Sequence, residues 1–131
     1  MKALFTFVLL LTVTPLLLAM TPTDPPKEDQ VRHIVIFKYK PGATEAQIKQ
    51  VTDAFAALKG KVPGIVAFEH GVNNSPEGKN LGFTHVYQLT FKDAASRDAY
   101  LPHPDHKKFG ELLGKLQVVE DVFVVDYATG K

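Results

Sequence analysis

The sequence contains no cysteine and no tryptophan, and only two methionines. Without cysteine the chain can form no disulfide and carry no cysteine-linked lipid anchor, so an apolar core alone must hold its fold. An excess of charge of one sign is also missing, because 15 basic residues stand against 14 acidic ones. With no basic stripe there is no electrostatic argument for nucleic acid, and we expect the partner to be a small molecule or a second copy of the chain.

A long apolar run stands at the start of the chain. It extends from Ala3 to Ala19 and follows the positively charged Lys2. This order is typical of a secretory signal, and the run is short for a membrane span and interrupted by Pro15. We therefore predict that residues 1–20 are a signal peptide, cleaved after Ala19 or shortly beyond, and that the protein is secreted or periplasmic. An uncleaved N-terminal anchor is the alternative, and it would be the protein's link to a membrane.

The rest of the chain divides into a linker and one domain. Residues 21–30 are rich in proline and charge, which predicts a flexible linker, and residues 31–131 are enough for one domain with one core. A capping box formed by Thr44 and Gln47 begins the first predicted helix, and side chains alternate along the predicted strand Phe83–Phe91. The order is strand, helix, strand, strand, helix, strand. It predicts an α+β, ferredoxin-like βαββαβ fold with a four-stranded antiparallel sheet.

Two of the predicted strands are apolar on both faces. The first strand carries Ile34 and Ile36 on the face opposite Val35, and the last strand is apolar at every position from 122 to 125. Helices cover one face of a ferredoxin-like sheet, so the other apolar face needs a second cover. We therefore predict a homodimer in which two sheets pack face to face as a dimeric α+β barrel.

Two histidines fall in the middle of predicted strands. His33 shares its face with Phe37 in the first strand, and His85 shares its face with Tyr87 in the third. These two strands are neighbours in a ferredoxin-like sheet, so we expect both imidazoles near one another on the helix-covered face, with all four side chains as ligand-binding residues. A histidine in a strand is as often a core residue with a satisfied hydrogen bond, and this interpretation stays open.

The segment from Tyr100 to His106 predicts a corner between two helices. Pro104 suits the first helical position, which places His103 at the N-cap and His106 at the third position of the helix. The positive end of the helix dipole disfavours an imidazolium there, and a neutral imidazole suits a general base. Tyr100 ends the preceding helix and is expected to point its hydroxyl at the same cavity. The alternative is a purely structural corner with a histidine cap.

Three motifs follow one another at distinctive spacings along the domain. They are His33-x-x-x-Phe37-Lys38, Gly82-Phe83-Thr84-His85 and Tyr100-x-x-His103-Pro104-x-His106-x-x-Phe109. Together with the last strand, these motifs resemble the stress-responsive A/B barrel (Dabb) family. The resemblance extends from Val31 to Tyr127, and the His-Pro-x-His corner is its most specific element.

The resemblance implies a homodimeric α+β barrel. It also implies a chemistry, because a plant polyketide cyclase of this family works without a cofactor. The catalytic histidine and tyrosine of that cyclase match His106 and Tyr100, and its pocket histidines match His33 and His85. The resemblance therefore implies His106 as a general base with Tyr100 as its partner, acting on a small hydrophobic or carbonyl-containing ligand.

Three functions remain open on these grounds. The first is an exported, stress-related homodimer that binds a small molecule without turning it over, and the second is a cofactor-independent, polyketide-cyclase-like enzyme. The third is metal or haem binding through the histidines. No His-x-x-x-His or carboxylate-histidine spacing on one element supports the third, so we expect no metal site and no cofactor.

Overall fold

The computed structural model describes residues 29–130. The predicted signal peptide or anchor at residues 1–20 lies outside the described residues, as does the predicted linker up to residue 28. Within the described part of the chain, the regular elements extend from residue 31 to residue 128. None of the helices in that part combines the length and the apolar character needed to span a membrane.

The elements follow the predicted βαββαβ order, with the second helical segment divided in two. They are β1 (Val31–Tyr39), α1 (Glu45–Ala57) followed by a 3-10 turn (Leu58–Gly60), β2 (Ile65–Val72), β3 (His85–Phe91), α2 (Ala94–Tyr100), α3 (Pro104–Leu116) and β4 (Val119–Ala128). The predicted capping box begins α1, because the Gln47 N–H donates to the Thr44 hydroxyl at 3.2 Å and the Thr44 N–H donates to Gln47 Oε1 at 2.9 Å.

The four strands form one antiparallel sheet in the order β2-β3-β1-β4. The central strand β1 pairs with β3 and with β4, so that Val35 lies between Tyr87 on one side and Val124 on the other. Directly opposed residues of an antiparallel pair point to the same face. The odd-numbered residues of β1 and β3 and the even-numbered residues of β4 therefore share the helix-covered face. This topology confirms the predicted ferredoxin-like α+β fold.

The core lies between the helices and that face of the sheet. Phe55 of α1 is 1% exposed, and its ring stacks on Phe109 of α3 with the centroids 4.5 Å apart. The same ring lies 5.2 Å from the ring of Tyr87 on β3. Aromatic contacts therefore hold α1 and α3 against the sheet and against each other. The other large, fully buried side chains are Phe37, Val51, Leu89, Phe91 and Tyr100.

The third strand begins two residues later than predicted, at His85 instead of Phe83. Gly82 has a φ of 86°, in the left-handed region, and the Phe83 N–H donates to the Asn80 carbonyl at 2.8 Å. This turn interrupts the alternation of the strand. Phe83 consequently packs toward Phe123, with the ring centroids 6.2 Å apart, on the face of the sheet opposite to the helices.

The face of the sheet opposite to the helices carries a continuous group of apolar side chains, and we call it the outer face. Its residues on β4 are strongly exposed, with Phe123 at 51% and Tyr127 at 49%. Val122 and Val124, on the helix-covered face of the same strand, are 42% and 50% exposed. The predicted apolar character of both faces is confirmed. The apolar residues of the outer face are Ile34, Ile36, Val86, Phe123, Val125 and Tyr127, and the polar Arg32 and Gln88 lie on the same face.

Phe55→Ala tests the importance of the aromatic contacts in the core. Because Phe55 is buried and its ring packs on both Phe109 and Tyr87, we expect the free energy of unfolding to fall by about 3–5 kcal/mol in urea denaturation. Leu81→Ala is the matched control, since Leu81 is 83% exposed and its loss should change stability by less than about 0.5 kcal/mol. Equal effects of the two substitutions would contradict this description of the core.

Candidate functional site

A cavity of about 270 Å³ lies between the sheet and the helices, close to the edge formed by β4. Its volume suits one small molecule, slightly below the usual range for drug-sized ligands. Most of the wall is apolar, and the polar side chains in it are those of His33, Tyr100 and His106. The walls are formed by His33, Val35, Phe37, Phe55, Tyr100, Leu101, His106, Phe109, Gly110, Leu113, Val122 and Val124.

The corner between α2 and α3 positions two of the three polar groups. His103 is the N-cap of α3, because its Nδ1 accepts the Asp105 N–H at 3.2 Å, and Pro104 follows at the start of the helix. The predicted capping role of His103 is confirmed. With its cap and its proline, this corner sets the end of α2 at Tyr100 and the first turn of α3 at His106 beside the same cavity.

His106 has a defined tautomer. Its Nδ1 lies 2.9 Å from the carbonyl oxygen of Leu101. Because a carbonyl oxygen can only accept, Nδ1 carries the proton, and the neutral imidazole then holds its lone pair on Nε2. Among residues 29–130, no group forms a hydrogen bond with this Nε2. The atom can therefore accept a proton from a molecule in the cavity.

Tyr100 lies between the two imidazoles of the cavity. Its ring centroid is 4.1 Å from that of His106 and 5.7 Å from that of His33, and the side chain is 0% exposed. Burial raises the pKa of the Tyr100 hydroxyl well above its ordinary value, so the group remains a hydrogen-bond donor at neutral pH. The described part of the chain provides no hydrogen-bond partner for this hydroxyl, and the Tyr100 side chain is one of those that line the cavity.

The imidazole of His33 is bound by the carboxylate of Asp126. Its Nδ1 lies 2.6 Å from Oδ1 of Asp126, and the guanidinium of Arg97 binds the second oxygen of the same carboxylate. A carboxylate in this ion pair accepts, so Nδ1 of His33 donates, and in the neutral imidazole Nε2 then holds the lone pair. No fully enclosed side-chain nitrogen or oxygen of the described residues lacks a partner. The Nε2 of His33, for which no partner is found among residues 29–130, is therefore not fully enclosed, and His33 is one of the residues that line the cavity.

The structure does not bring His85 to this cavity, and the expected proximity of its imidazole to that of His33 is wrong. In the register of β1 with β3, His85 lies opposite Phe37, four residues along the strand from His33. That separation is about 13 Å at the rise of a β-strand. His85 instead lines a separate, open groove, where burial and then the charge of His70 lower its pKa.

Of the other two predicted ligand-binding residues, Phe37 and Tyr87, one lines the cavity and the other does not. Phe37 forms part of the cavity wall, whereas Tyr87 is not among the residues that line it. The Tyr87 hydroxyl is already hydrogen-bonded to the hydroxyls of Tyr39, at 3.0 Å, and Thr52, at 2.9 Å. Its ring packs on that of Phe37 at 5.2 Å. Tyr87 therefore supports the wall of the cavity from within the core.

Sequence reasoning did not identify Asp126 and Arg97. Asp126 directly follows the apolar run at residues 122–125 of β4 and lies on the same face as Val122 and Val124, and a carboxylate at that place is a signal that could have found it. Arg97 stands in the polar sequence of α2 and carries no comparable signal. Packing of α2 on the sheet is what brings its guanidinium to Asp126.

The polar groups of the cavity are suited to proton transfer. They are two imidazole lone pairs and one protonated phenol, surrounded by apolar walls that strengthen each hydrogen bond. Across residues 29–130, no three histidine, cysteine or carboxylate side chains are grouped so that they could hold a metal ion. The cavity histidines are instead held by other partners, His33 by Asp126 and His106 by the Leu101 carbonyl.

The sequence of the domain is similar to a known protein family and to a named enzyme. The family model of the stress responsive A/B barrel domain (Dabb) matches residues 31–129. Olivetolic acid cyclase from Cannabis sativa is 27% identical over 101 residues, which are 77% of this chain and 98% of the cyclase.

Two solved structures share the fold. Hydroxynitrile lyase from Passiflora edulis is 28% identical with a TM-score of 0.71, over 81% of this chain and 97% of the lyase. A dimeric ferredoxin-like protein of unknown function from Jannaschia sp. is 29% identical with a TM-score of 0.60, over 75% of this chain and 97% of that protein. Because the family model spans nearly all of the described domain, the chain belongs to the stress responsive A/B barrel domain family.

Proposed function

We propose that the protein binds a small, mostly apolar carbonyl compound in the cavity and transfers a proton on it, with His106 as general base and Tyr100 as hydrogen-bond donor. The observation that carries this proposal is the pairing of two groups with their ring centroids 4.1 Å apart, an imidazole with an unpaired Nε2 and a buried, protonated phenol. The apolar walls contribute affinity for the hydrocarbon part of the ligand.

The two groups have complementary parts in the reaction. Nε2 of His106 removes a proton from the carbon next to the carbonyl. The electron pair of that C–H bond forms a C=C bond, and the π electron pair of the carbonyl moves to its oxygen, which gives an enolate. The Tyr100 hydroxyl donates a hydrogen bond to this oxygen and stabilises the developing negative charge. The proton on His106 then returns to the product. Neither step requires a cofactor.

The family supports catalysis without defining the substrate. One relative is named olivetolic acid cyclase and another hydroxynitrile lyase, so the same fold carries two differently named enzymes. The Jannaschia relative is described as having unknown function. A protein that only binds a small molecule is therefore the second candidate, and the apolar cavity by itself favours it.

We also propose that the protein is a homodimer whose two outer faces pack together. The exposed apolar residues Phe123, Val125 and Tyr127 support this arrangement, because contiguous apolar surface of this kind is usually covered by another subunit. The Jannaschia relative, described as dimeric, supports it as well.

We further propose that residues 1–20 direct export, so that the protein is secreted or periplasmic. The support is the sequence pattern of Lys2 followed by the apolar run from Ala3 to Ala19. Retention of these residues as an anchor is the alternative, and it would attach the domain to a membrane.

His106→Gln tests the catalytic part of the proposal. In D2O, the wild-type protein should accelerate exchange of the methyl protons of acetophenone, followed by proton NMR. The variant should lose this acceleration by a factor of about 100 or more, because glutamine cannot accept the proton. Its dissociation constant for acetophenone should change by less than about threefold, since the apolar walls remain.

His70→Gln is the matched control, because His70 is exposed and lies outside the cavity. It should leave both exchange and binding unchanged. Acceleration that persists in His106→Gln would contradict the role of His106. Binding of acetophenone without acceleration by the wild-type protein would establish the second candidate, a binding protein.

Phe123→Asp tests the homodimer. A carboxylate at this position would be buried without a partner between the two sheets. We therefore expect the variant to be a monomer in sedimentation at micromolar concentration, where the wild-type protein should be a dimer. Lys107→Asp on the exposed side of α3 changes charge elsewhere and should leave the dimer intact. A monomeric wild-type protein would contradict the proposal.

Intact mass measurement tests export. In a secretion-competent host, we expect the exported protein to begin after Ala19 or shortly beyond. Full-length chain in the membrane fraction would show an uncleaved anchor. Full-length chain that remains in the cytoplasm would contradict export.

A further inference from the structure

Arg97, Asp126 and His33 form a chain of charged hydrogen bonds that the proposed reaction does not use. Arg97 binds one oxygen of Asp126, and the other oxygen accepts Nδ1 of His33 at 2.6 Å. The Nε of Arg97 is bound in turn to Asp98 at 2.7 Å. Each member is half-buried or buried, and the chain runs from the surface of α2 to the wall of the cavity.

This chain determines which ring nitrogen of His33 carries the proton. Neutral imidazole in water favours the proton on Nε2, but the carboxylate of Asp126 requires a donor and therefore selects the form with the proton on Nδ1. Arg97 occupies the second carboxylate oxygen and prevents Asp126 from turning toward solvent or toward a ligand. The lone pair on Nε2 of His33 is thus presented to the cavity as a hydrogen-bond acceptor.

The cavity consequently offers two kinds of hydrogen-bonding group at separate places. Tyr100 donates, which matches the carbonyl oxygen of the proposed ligand. His33 accepts, and a ligand that has only a carbonyl group leaves this acceptor unpaired. A cavity of about 270 Å³ with mostly apolar walls holds one small ring, and a hydroxyl group on that ring can donate to His33.

We propose that Arg97 and Asp126 are positioning residues that present His33 as a hydrogen-bond acceptor, so that the cavity selects carbonyl compounds which also carry a hydroxyl group. This inference rests on the proposed function in one respect, that the ligand is a carbonyl compound in this cavity. It does not depend on whether His106 transfers a proton.

Nitrogen NMR of the protein labelled with 15N-histidine tests the tautomer directly. At pH 9, where a histidine of ordinary pKa is neutral, we expect the His33 signals to show a protonated Nδ1 and an unprotonated Nε2. In Asp126→Leu the proton should move mainly to Nε2, because the acceptor for Nδ1–H is gone. A wild-type His33 with its proton on Nε2 would overturn the inference.

Binding of matched ketones tests the selection. We expect 3-hydroxyacetophenone or 4-hydroxyacetophenone to bind about tenfold more tightly than the corresponding methoxy compound, the difference of one hydrogen bond. Asp126→Leu should abolish this preference, while its affinity for acetophenone itself should change by less than about threefold. Equal affinities of the hydroxy and methoxy compounds for the wild-type protein would overturn the selection.

Variants of Arg97 separate positioning from a purely structural role. Arg97→Met should reduce the preference for the hydroxy compound by a few-fold, and Arg97→Lys should retain more of it, because the ammonium group still binds the carboxylate. Lys49→Met is the control, since it removes an exposed ion pair with Asp53 and should leave the preference unchanged. Equal loss in the Met and Lys variants, or no loss in either, would overturn the role of Arg97.

The same samples distinguish this inference from the proposed function. Deuterium exchange of acetophenone reports on the proton transfer that we assign to His106, whereas the preference for a hydroxyl group reports on His33 as an acceptor. Exchange without a hydroxyl preference would reject only the inference. A hydroxyl preference without exchange would reject only catalysis.

Discussion

The packing of Phe55 between the sheet and α3 is the contact on which the rest of the domain depends. Its ring stacks on the ring of Phe109 and also contacts the ring of Tyr87. Phe55 therefore sets the distance between α3 and the sheet at this side of the core. Toward the β4 edge the packing against the sheet is looser, because Val122 and Val124 remain half exposed there. The cavity is the space that this one-sided packing leaves open, and Phe55 and Phe109 form part of its wall.

The chemistry of the cavity can be inferred because it contains few polar side chains, those of His33, Tyr100 and His106, and contacts with the protein orient each of them. Tyr100 is surrounded by rings, which keeps its hydroxyl protonated. The two imidazoles that flank it are each bound at Nδ1, one by a carboxylate and one by a backbone carbonyl. Both therefore expose the same kind of atom, a nitrogen lone pair. In an apolar setting, such fixed donors and acceptors contribute more than they would in water.

Much of the fold could be predicted, since it rests on local patterns. The capping box at Thr44, the histidine cap at His103 and the alternation of the strands are determined by residues a few positions apart. The start of β3 was predicted wrongly, because Phe83 fits the alternation while Gly82 adopts a left-handed turn just before it. The backbone conformation at Gly82, and not the alternation of side chains, therefore determines where β3 begins.

The sequence by itself determined the βαββαβ order, the two-sided apolar sheet and the presence of Tyr100 and His106 at one helix corner, because neighbouring residues and strand parity decide these features. Only the tertiary structure decided which strand histidine lines the cavity together with Tyr100 and His106. His33 and His85 share a face, but strand register places them about 13 Å apart. Likewise, Asp126 and Arg97 lie 29 positions apart in the chain, and their contact arises from packing of α2 on the sheet, which no local pattern encodes.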